Sequence, residues 1–382
     1  MLPKERVQAA FEHRPSDKIP IYQAGFSSYA ASLVLGREAY TGGGIQQFRE
    51  ARALWDGPAA HAEYLQRSRD DAFEIAEVLD LDLIRPQYWR MPERPTRKLD
   101  EVTYFYGSEA EGNWRVMSFD PTTELYQVVA SVARREPTLA DLERAESAEL
   151  PDPASYRPRP ANWPDLVAAV ERFGQNRAIP GFGTGLCIPR EPIWLEACLL
   201  RPDLVARQLD RQVAQVSGNV AAMAELGLTY LCGGGDFAGP RGPMYSPRVF
   251  HDLMAPRLQQ ISRICHAAGC YHGFASDGNL WPVAEDLFGT SGVDFFYELD
   301  RRAGMDLRRV RQTFPRLTLW GGISSETLHR GSTDEVRREA LTALEVAKEL
   351  HGMVVGCSNQ IVIGTPPRNM EVMFETLRDH RS

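Results

Sequence analysis

Short apolar runs that end in Gly, Asp, Asn or Pro alternate along this chain with longer amphipathic stretches. The runs are "IPIYQAG" (19–25), "LDLDLIRP" (79–86), "RAIPGFGTG" (177–185), "LTYLCGGGD" (228–236), "GCYHGFASDGN" (269–279), "GVDFFYEL" (292–299), "LTLWGGIS" (317–324) and "GMVVGCSN" (352–359). Between most of them lie helical patterns such as "RPDLVARQLDRQVAQVSGNVAAMAEL" and "STDEVRREALTALEVAKELH". The latter opens on Ser-Thr-Asp ahead of Glu335, a helix N-cap signature. Strands that alternate with helices pair in parallel. Eight runs are what a (β/α)8 barrel requires, a fold that usually takes about 250 residues. The predicted class is α/β, a (β/α)8 TIM barrel.

The surplus length sits between residues 36 and 176. There "GREAYTGGGIQQF", the aromatic "EVTYFYGSEAEGNWRVMSF" and the Pro-rich "LPDPASYRPRPANWP" break the rhythm. The pattern predicts one barrel domain over 1–382 with an insertion at about 36–176. A helical part follows the first strand. A β-hairpin turning at "GSEAEGN" and a polar loop follow the second. A doubly wound open sheet is the other arrangement of alternating elements, but no G-x-G-x-x-G opens a helix after the first strand.

Composition narrows the function classes. The net charge of −8 argues against a nucleic-acid partner. No apolar run approaches the roughly 18–20 residues of a membrane span. The opening "MLPKERVQAAFEHRP" lacks the apolar core of a secretory signal. Six scattered cysteines with no C-x-x-C pair suggest no disulfide framework. A reduced, cytoplasmic protein is expected.

In such barrels function collects where strands end at the carboxyl face. The strand-end residues are Gln23, Arg85, Asp236, Asp277, Glu298 and Cys357. That set is acidic and soft rather than basic. It suits a divalent metal, or polar contact with a neutral or cationic small-molecule substrate.

Several ordered motifs resemble the uroporphyrinogen decarboxylase superfamily. "RVQAAFEHRPSDKIPI" resembles its opening, and "GGGDFAGPRGPMYSPRVF" (233–250) its central loop and following helix. "ASDGNLWPV", "AGMDLRRVRQTFP", "LTLWGGIS" and "NQIVIGTPPRNMEVM" resemble its last third, in order. The resemblance implies a (β/α)8 barrel, in agreement with the run count. It implies one of two chemistries.

True uroporphyrinogen decarboxylases carry R-Q-A-G-R in the first turn, with arginines that grip the substrate's carboxylates. This chain keeps Gln23-Ala24-Gly25 but has Tyr22 and Phe26 where the arginines belong. Their catalytic aspartate would fall near Gln87, and an amide cannot transfer a carboxyl proton. Porphyrinogen decarboxylation is not expected.

The zinc-dependent, corrinoid-linked methyltransferases carry H-x-C-G-N at the fifth strand and G-C-G-I at the eighth. Zinc there lowers the pKa of a substrate thiol. Here the fifth strand reads Ala275-Ser276-Asp277-Gly278-Asn279, and the last cysteine aligns with Asn359. Cys357 lies two residues earlier and, because strand side chains alternate, shares a face with Asn359, roughly 6.6 Å along the strand and one layer deeper. A modified zinc site from Asp277, Glu298 and Cys357 is one expectation. The others are a strand-to-helix turn capped by Asp or Asn, and a Cys357 that is only a small core residue.

By the same alternation His272 points outward to the helices as a structural residue. His251 is read as a solvated helix residue. Tyr88, Trp89, Tyr104, Phe105, Tyr106 and Trp114 form either an insertion core or a binding wall.

The resemblance, with its departures, implies methyl transfer or demethylation of a small, weakly charged substrate, with a corrinoid as methyl donor or acceptor. Asp277 and Tyr29 are the expected catalytic residues. Gln23, Arg85, Tyr88, Asp236 and Asn359 are the expected substrate contacts. A corrinoid protein is the expected partner and a homodimer the expected assembly. Two other readings stay open: a decarboxylase of a small carboxylate, with Asp277 protonating the carbanion, and a non-catalytic corrinoid or small-molecule binder.

Overall fold

The structure is a computed structural model, and it describes residues 1–86, 89–133, 135–147 and 155–382. Six of the eight apolar runs pair as one parallel sheet. Its strands, in spatial order, are Met353–Cys357, Thr318–Ile323, Phe295–Tyr297, Tyr271–Ala275, Tyr230–Cys232 and Gly181–Phe182. The register sets Leu231 beside His272, Phe274 beside Phe296 and Trp320 beside Val354.

The first two runs complete the ring through single contacts rather than ladders. Ile21 bridges Val355 and Leu83 bridges Ala178, both in parallel. The Asp82 N–H donates to the Ile21 carbonyl at 2.9 Å, and the Ile84 N–H to the Ala178 carbonyl at 3.0 Å. The local sequence explains the short pairing. Pro20 has no N–H to give, and the Ile21 N–H is taken by the Asp82 carboxylate at 2.9 Å.

Side chains alternate in and out along these strands. Tyr22, Leu83, Ala178, Tyr230, Phe295, Trp320 and Val354 form the inner cluster, joined at the amino end by Val7, Ala10 and Phe11 of the helix Pro3–Phe11. The Phe11 ring lies 4.6 Å from those of Tyr230 and Tyr271 and 5.2 Å from that of Phe295. This helix therefore stoppers one end of the barrel. The opposite faces, with Leu231, Phe274, Phe296, Leu319 and Val355, pack under the outer helices. Gly356 is required by one close approach: a Cβ there would stand 1.8 Å from the Tyr22 carbonyl oxygen.

Three helices, Ser28–Leu35, Gly44–Asp56 and Pro58–Val78, separate the first two runs. After the second run comes a sheet of four antiparallel strands, Arg97–Lys98, Thr103–Tyr106, Arg115–Asp120 and Leu125–Ser131. The expected hairpin is its centre, turning at 107–113, and two further strands flank it. Tyr104, Tyr106, Met117 and Tyr126 pack with Phe48 and Ala51 of the helix Gly44–Asp56 in a core of their own. Of the aromatic set, Tyr104 and Tyr106 are thus insertion core, Phe105 and Trp114 stack on each other 5.7 Å apart, and Trp89 lines the barrel cavity.

Candidate active site

A cavity of about 730 Å³ opens at the carboxyl ends of the barrel strands. Its floor is aromatic. Tyr22, Tyr297 and Trp320 line it, with the Tyr22 and Trp320 rings 5.3 Å apart and those of Tyr297 and Trp320 6.2 Å apart. Arg85, Asp236, Glu298 and Asn359 line its polar part, and Trp89, Arg90 and Arg190 stand on its walls.

Glu298 follows the strand Phe295–Tyr297 with a φ of +78°, a conformation that costs a non-glycine residue about 1–3 kcal/mol. Of the five non-glycine residues with positive φ among the described residues, it is the one that lines this cavity. Burial, then the neighbouring carboxylates Asp277 and Asp236, raise its pKa to about 8, with Arg85 opposing. At neutral pH Glu298 is therefore mainly protonated, a group able to donate a proton and then take one back.

Asp277 lies behind two residues of the cavity lining, Asp236 and Asn359. The Asn359 amide approaches its carboxylate at 3.4 and 3.5 Å, and its backbone N–H donates to Asp236 Oδ1 at 3.2 Å. Burial, Asp236 and Asp300 raise its pKa, and the Asn359 contact opposes them. The turn itself is capped elsewhere. Asn279 Oδ1 accepts the Trp281 N–H at 3.1 Å, and Asp300 accepts the Gly278 N–H at 3.2 Å. Asn279 thus performs the capping, and the Asp277 side chain faces the Asn359 amide.

Arg85 donates from Nη1 to the Ala24 carbonyl at 2.7 Å, which sets its guanidinium beside the first turn. Arg90 is held by Glu50, a buried carboxylate of the helix Gly44–Asp56. Glu50 accepts Arg90 Nε at 2.8 Å and the Met91 N–H at 2.8 Å, with His61 Nε2 at 3.1 Å. The helical insertion thereby fixes one wall of the cavity.

Four expectations need correction. Cys357 faces the outer helix layer with Val355 and Met353, and burial pushes its thiol up to about 12. The chain turns at Ser358, whose N–H donates to the Ile323 carbonyl at 2.8 Å, so alternation ends before Asn359 reaches the cavity. Among the described residues no group of three His, Cys, Asp or Glu side chains converges as metal ligands. The set of Asp277, Glu298 and Cys357 does not fit zinc, because Cys357 packs in the outer layer and does not reach the cavity that Glu298 lines.

Tyr29 is 38 % exposed and does not line the cavity. Glu124 accepts its backbone N–H at 2.9 Å and that of Ser28 at 2.8 Å, at the start of the helix Ser28–Leu35. Gln23 lies behind the floor. Its Nε2 donates to the carbonyls of Gly25 at 2.9 Å and Asn359 at 3.1 Å, tying the first turn to the last strand end. Tyr88 and Gln87 lie outside the described residues.

Arg85, Asp236, Glu298 and Asn359 line one cavity, with Asp277 beside Asp236 and Asn359. His272 faces outward, its Nδ1 2.8 Å from Ser262 Oγ, and His251 is exposed beside Asp286 at 3.0 Å. The aromatic floor was missed, although alternation marks Tyr22, Tyr297 and Trp320 as inward positions. Glu50 and Arg190 carried no signal in the pattern of runs.

By fold and site this is a (β/α)8 barrel with its cavity at the carboxyl ends of the strands. Residues 193–380 match the family model described as uroporphyrinogen decarboxylase (URO-D). The superfamily resemblance is shown over the part of the barrel that carries Asp236, Asp277, Glu298 and Asn359. Among solved structures, a methyltransferase from Methanosarcina mazei is similar at 19 % identity with a TM-score of 0.66, over 100 % of both chains. A candidate vitamin-B12-independent methionine synthase from Listeria monocytogenes is similar at 14 % identity, over 95 % of this chain and 99 % of that one, with a TM-score of 0.46. At these identities the Methanosarcina likeness is one of fold. No curated protein matches the chain.

Proposed function

We propose that this chain removes a methyl group from a small, weakly charged substrate, with Glu298 protonating the atom the methyl group leaves. The observation that carries this reading is the Glu298 carboxyl, held protonated near neutral pH on a strained backbone at the wall of an aromatic-floored cavity. In the step, the bond from methyl carbon to heteroatom breaks, the heteroatom keeps the electron pair, and the Glu298 proton moves onto it. A neutral leaving group replaces an anion, and the carboxylate left at Glu298 faces Arg85. Asp277, oriented by Asn359, positions the substrate and keeps Glu298 protonated through its own charge.

A corrinoid on a partner protein is the acceptor class this reading favours; it would supply the nucleophile for the methyl group, while Glu298 and Asp277 act on the substrate. A homodimer belongs to the same proposal. The superfamily match and the fold shared with the Methanosarcina methyltransferase support methyl chemistry without naming a substrate.

The test incubates the protein with methoxy, methylamino and methylthio compounds and free cob(I)alamin, reading methylcobalamin by absorbance and the demethylated product by mass spectrometry. Wild type should turn over at least one class, and Glu298→Gln should lose about 100-fold or more of that rate, the usual contribution of a general acid. Full turnover in the variant would remove Glu298 from the chemistry.

A second reading, decarboxylation of a small carboxylate, is favoured by Arg85 and Arg190 standing in the same cavity as a proton donor. There the carbon–carboxyl bond breaks, carbon dioxide leaves, and Glu298 protonates the carbanion. Carbon dioxide release without methylcobalamin would select it.

A further inference from the structure

The fourth strand end carries Asp236 on a run with no side chains of its own, Gly233-Gly234-Gly235. Glycine has the most backbone freedom of any residue, so such a run is fixed from outside. The strand Tyr271–Ala275 holds one side of it. The Gly233 N–H donates to the Gly273 carbonyl at 3.0 Å, and the Gly235 N–H to the Ala275 carbonyl at 3.1 Å. The packing admits nothing larger: a Cβ on Gly233 would stand 2.3 Å from the Thr184 carbonyl oxygen, and one on Gly235 2.4 Å from the Cys187 Cβ. The Gly233 carbonyl accepts the Tyr297 hydroxyl at 2.6 Å. Tyr297 belongs to the next strand but one and pairs in register with Ala275. Its ring therefore crosses the intervening strand where that strand carries only a methyl group. Asp236, next in the run, accepts the Asp277 N–H at 3.2 Å and lines the cavity with Glu298.

We propose that Tyr297 is a positioning residue whose hydroxyl, by holding the Gly233 carbonyl, fixes the glycine run and with it the place of the Asp236 carboxylate beside Glu298. The consequence for chemistry, though not the geometry, rests on Glu298 being the proton donor. Burial, Asp277 and Asp236 favour the proton on Glu298, and Arg85 opposes it. Tyr297 itself faces Cys232, Glu298, Arg85 and Tyr22. A run freed from Tyr297 would let Asp236 withdraw, and Glu298 would lose a neighbouring charge that favours its neutral form.

The experiment compares wild type, Tyr297→Phe, Asp236→Asn and the double variant by amide hydrogen exchange and by carbon-13 titration of the glutamate carboxyls. Tyr297→Phe keeps the floor ring and removes only the hydroxyl. Exchange over residues 233–237 should run about five-fold or more faster in it, the scale of one lost hydrogen bond, with the other barrel strands unchanged. Glu298 should titrate about half a pH unit or more lower in Tyr297→Phe, about three-fold in proton affinity. The same substitution should add nothing in the Asp236→Asn background. Unchanged exchange, a Glu298 titration that does not move, or a shift that survives in the double variant would overturn the assignment. So would a loss of protection throughout the barrel, since Tyr297 would then serve only the core. A wild-type Glu298 that titrates near 4.5 would instead sink the proton-donor reading, and the exchange comparison would still decide the role of Tyr297.

Discussion

At the scale of single residues, Glu298 decides the chemistry. Its carboxyl binds a proton in the folded chain up to about pH 8, whereas an ordinary glutamate releases it near 4.5. Between those values the native state holds a proton that the unfolded state does not, so this group lowers stability as pH rises through the window. Glu298→Gln removes the ionisation. The variant should melt close to wild type near pH 5 and above it at pH 8 to 9, which thermal melts across that range would check. A constant offset would mean that Glu298 titrates normally.

Asp277→Asn keeps the size of the side chain and leaves the Asn279 cap intact. It should cost most of the activity while moving the melting temperature by no more than a few degrees. A large loss of stability would instead assign Asp277 to the turn. Both acids were legible in the sequence as strand-end residues. The protonation of Glu298 was not, because it arises first from burial and then from two carboxylates contributed by other strand ends, neither of which a local pattern shows. Cys357 was misread because its strand stops there, and period-two alternation does not survive the turn at Ser358.

At the scale of elements, the alternation of runs was enough to place the barrel strands and their inward faces. It did not foresee how weakly the first two runs pair, since that depends on the Asp82 side chain taking a ladder donor. The insertion sheet was half legible. The "GSEAEGN" turn marked its central hairpin, but Leu125–Ser131 reads as an exposed polar–apolar mixture with one buried residue, Tyr126. Glu124, which accepts two N–H groups at the start of the helix Ser28–Leu35, reaches it from a residue 95 or more positions away, a distance no local pattern spans. Gly356 gives the element-scale test. Gly356→Ala would drive a methyl group into the Tyr22 carbonyl and pry apart the first and last barrel elements, costing about 3 kcal/mol or more. Denaturant unfolding would measure it, and a loss below about 1 kcal/mol would mean that the two elements are not held at this distance.

At the scale of the whole molecule, one buried carboxylate joins the two ends of the chain. Asp82 accepts Arg6 Nη1 at 3.1 Å and Arg381 Nη1 at 2.7 Å, besides the Ile21 N–H. Arg6 belongs to the stopper helix, and Arg381 follows the last helix. Asp82→Ala would leave both guanidinium groups buried with only Asp17 and Asp80 to answer them, at a cost of about 3 kcal/mol. It should do so without moving the Glu298 titration, because the pair lies away from the cavity lining. The superfamily resemblance had already supplied the barrel and the order of its motifs. It could not supply the cavity's chemistry, because both sets of family residues are replaced here and the substitutes act through geometry.

The measurement that tests the proposed chemistry most directly is a carbon-13 NMR titration of protein labelled at the glutamate side-chain carboxyl carbons, wild type against Glu298→Gln. The expected result is one resonance, missing in the variant, that titrates near pH 8. A Glu298 resonance titrating near 4.5 would show the carboxyl ionised at neutral pH and would contradict proton donation from it.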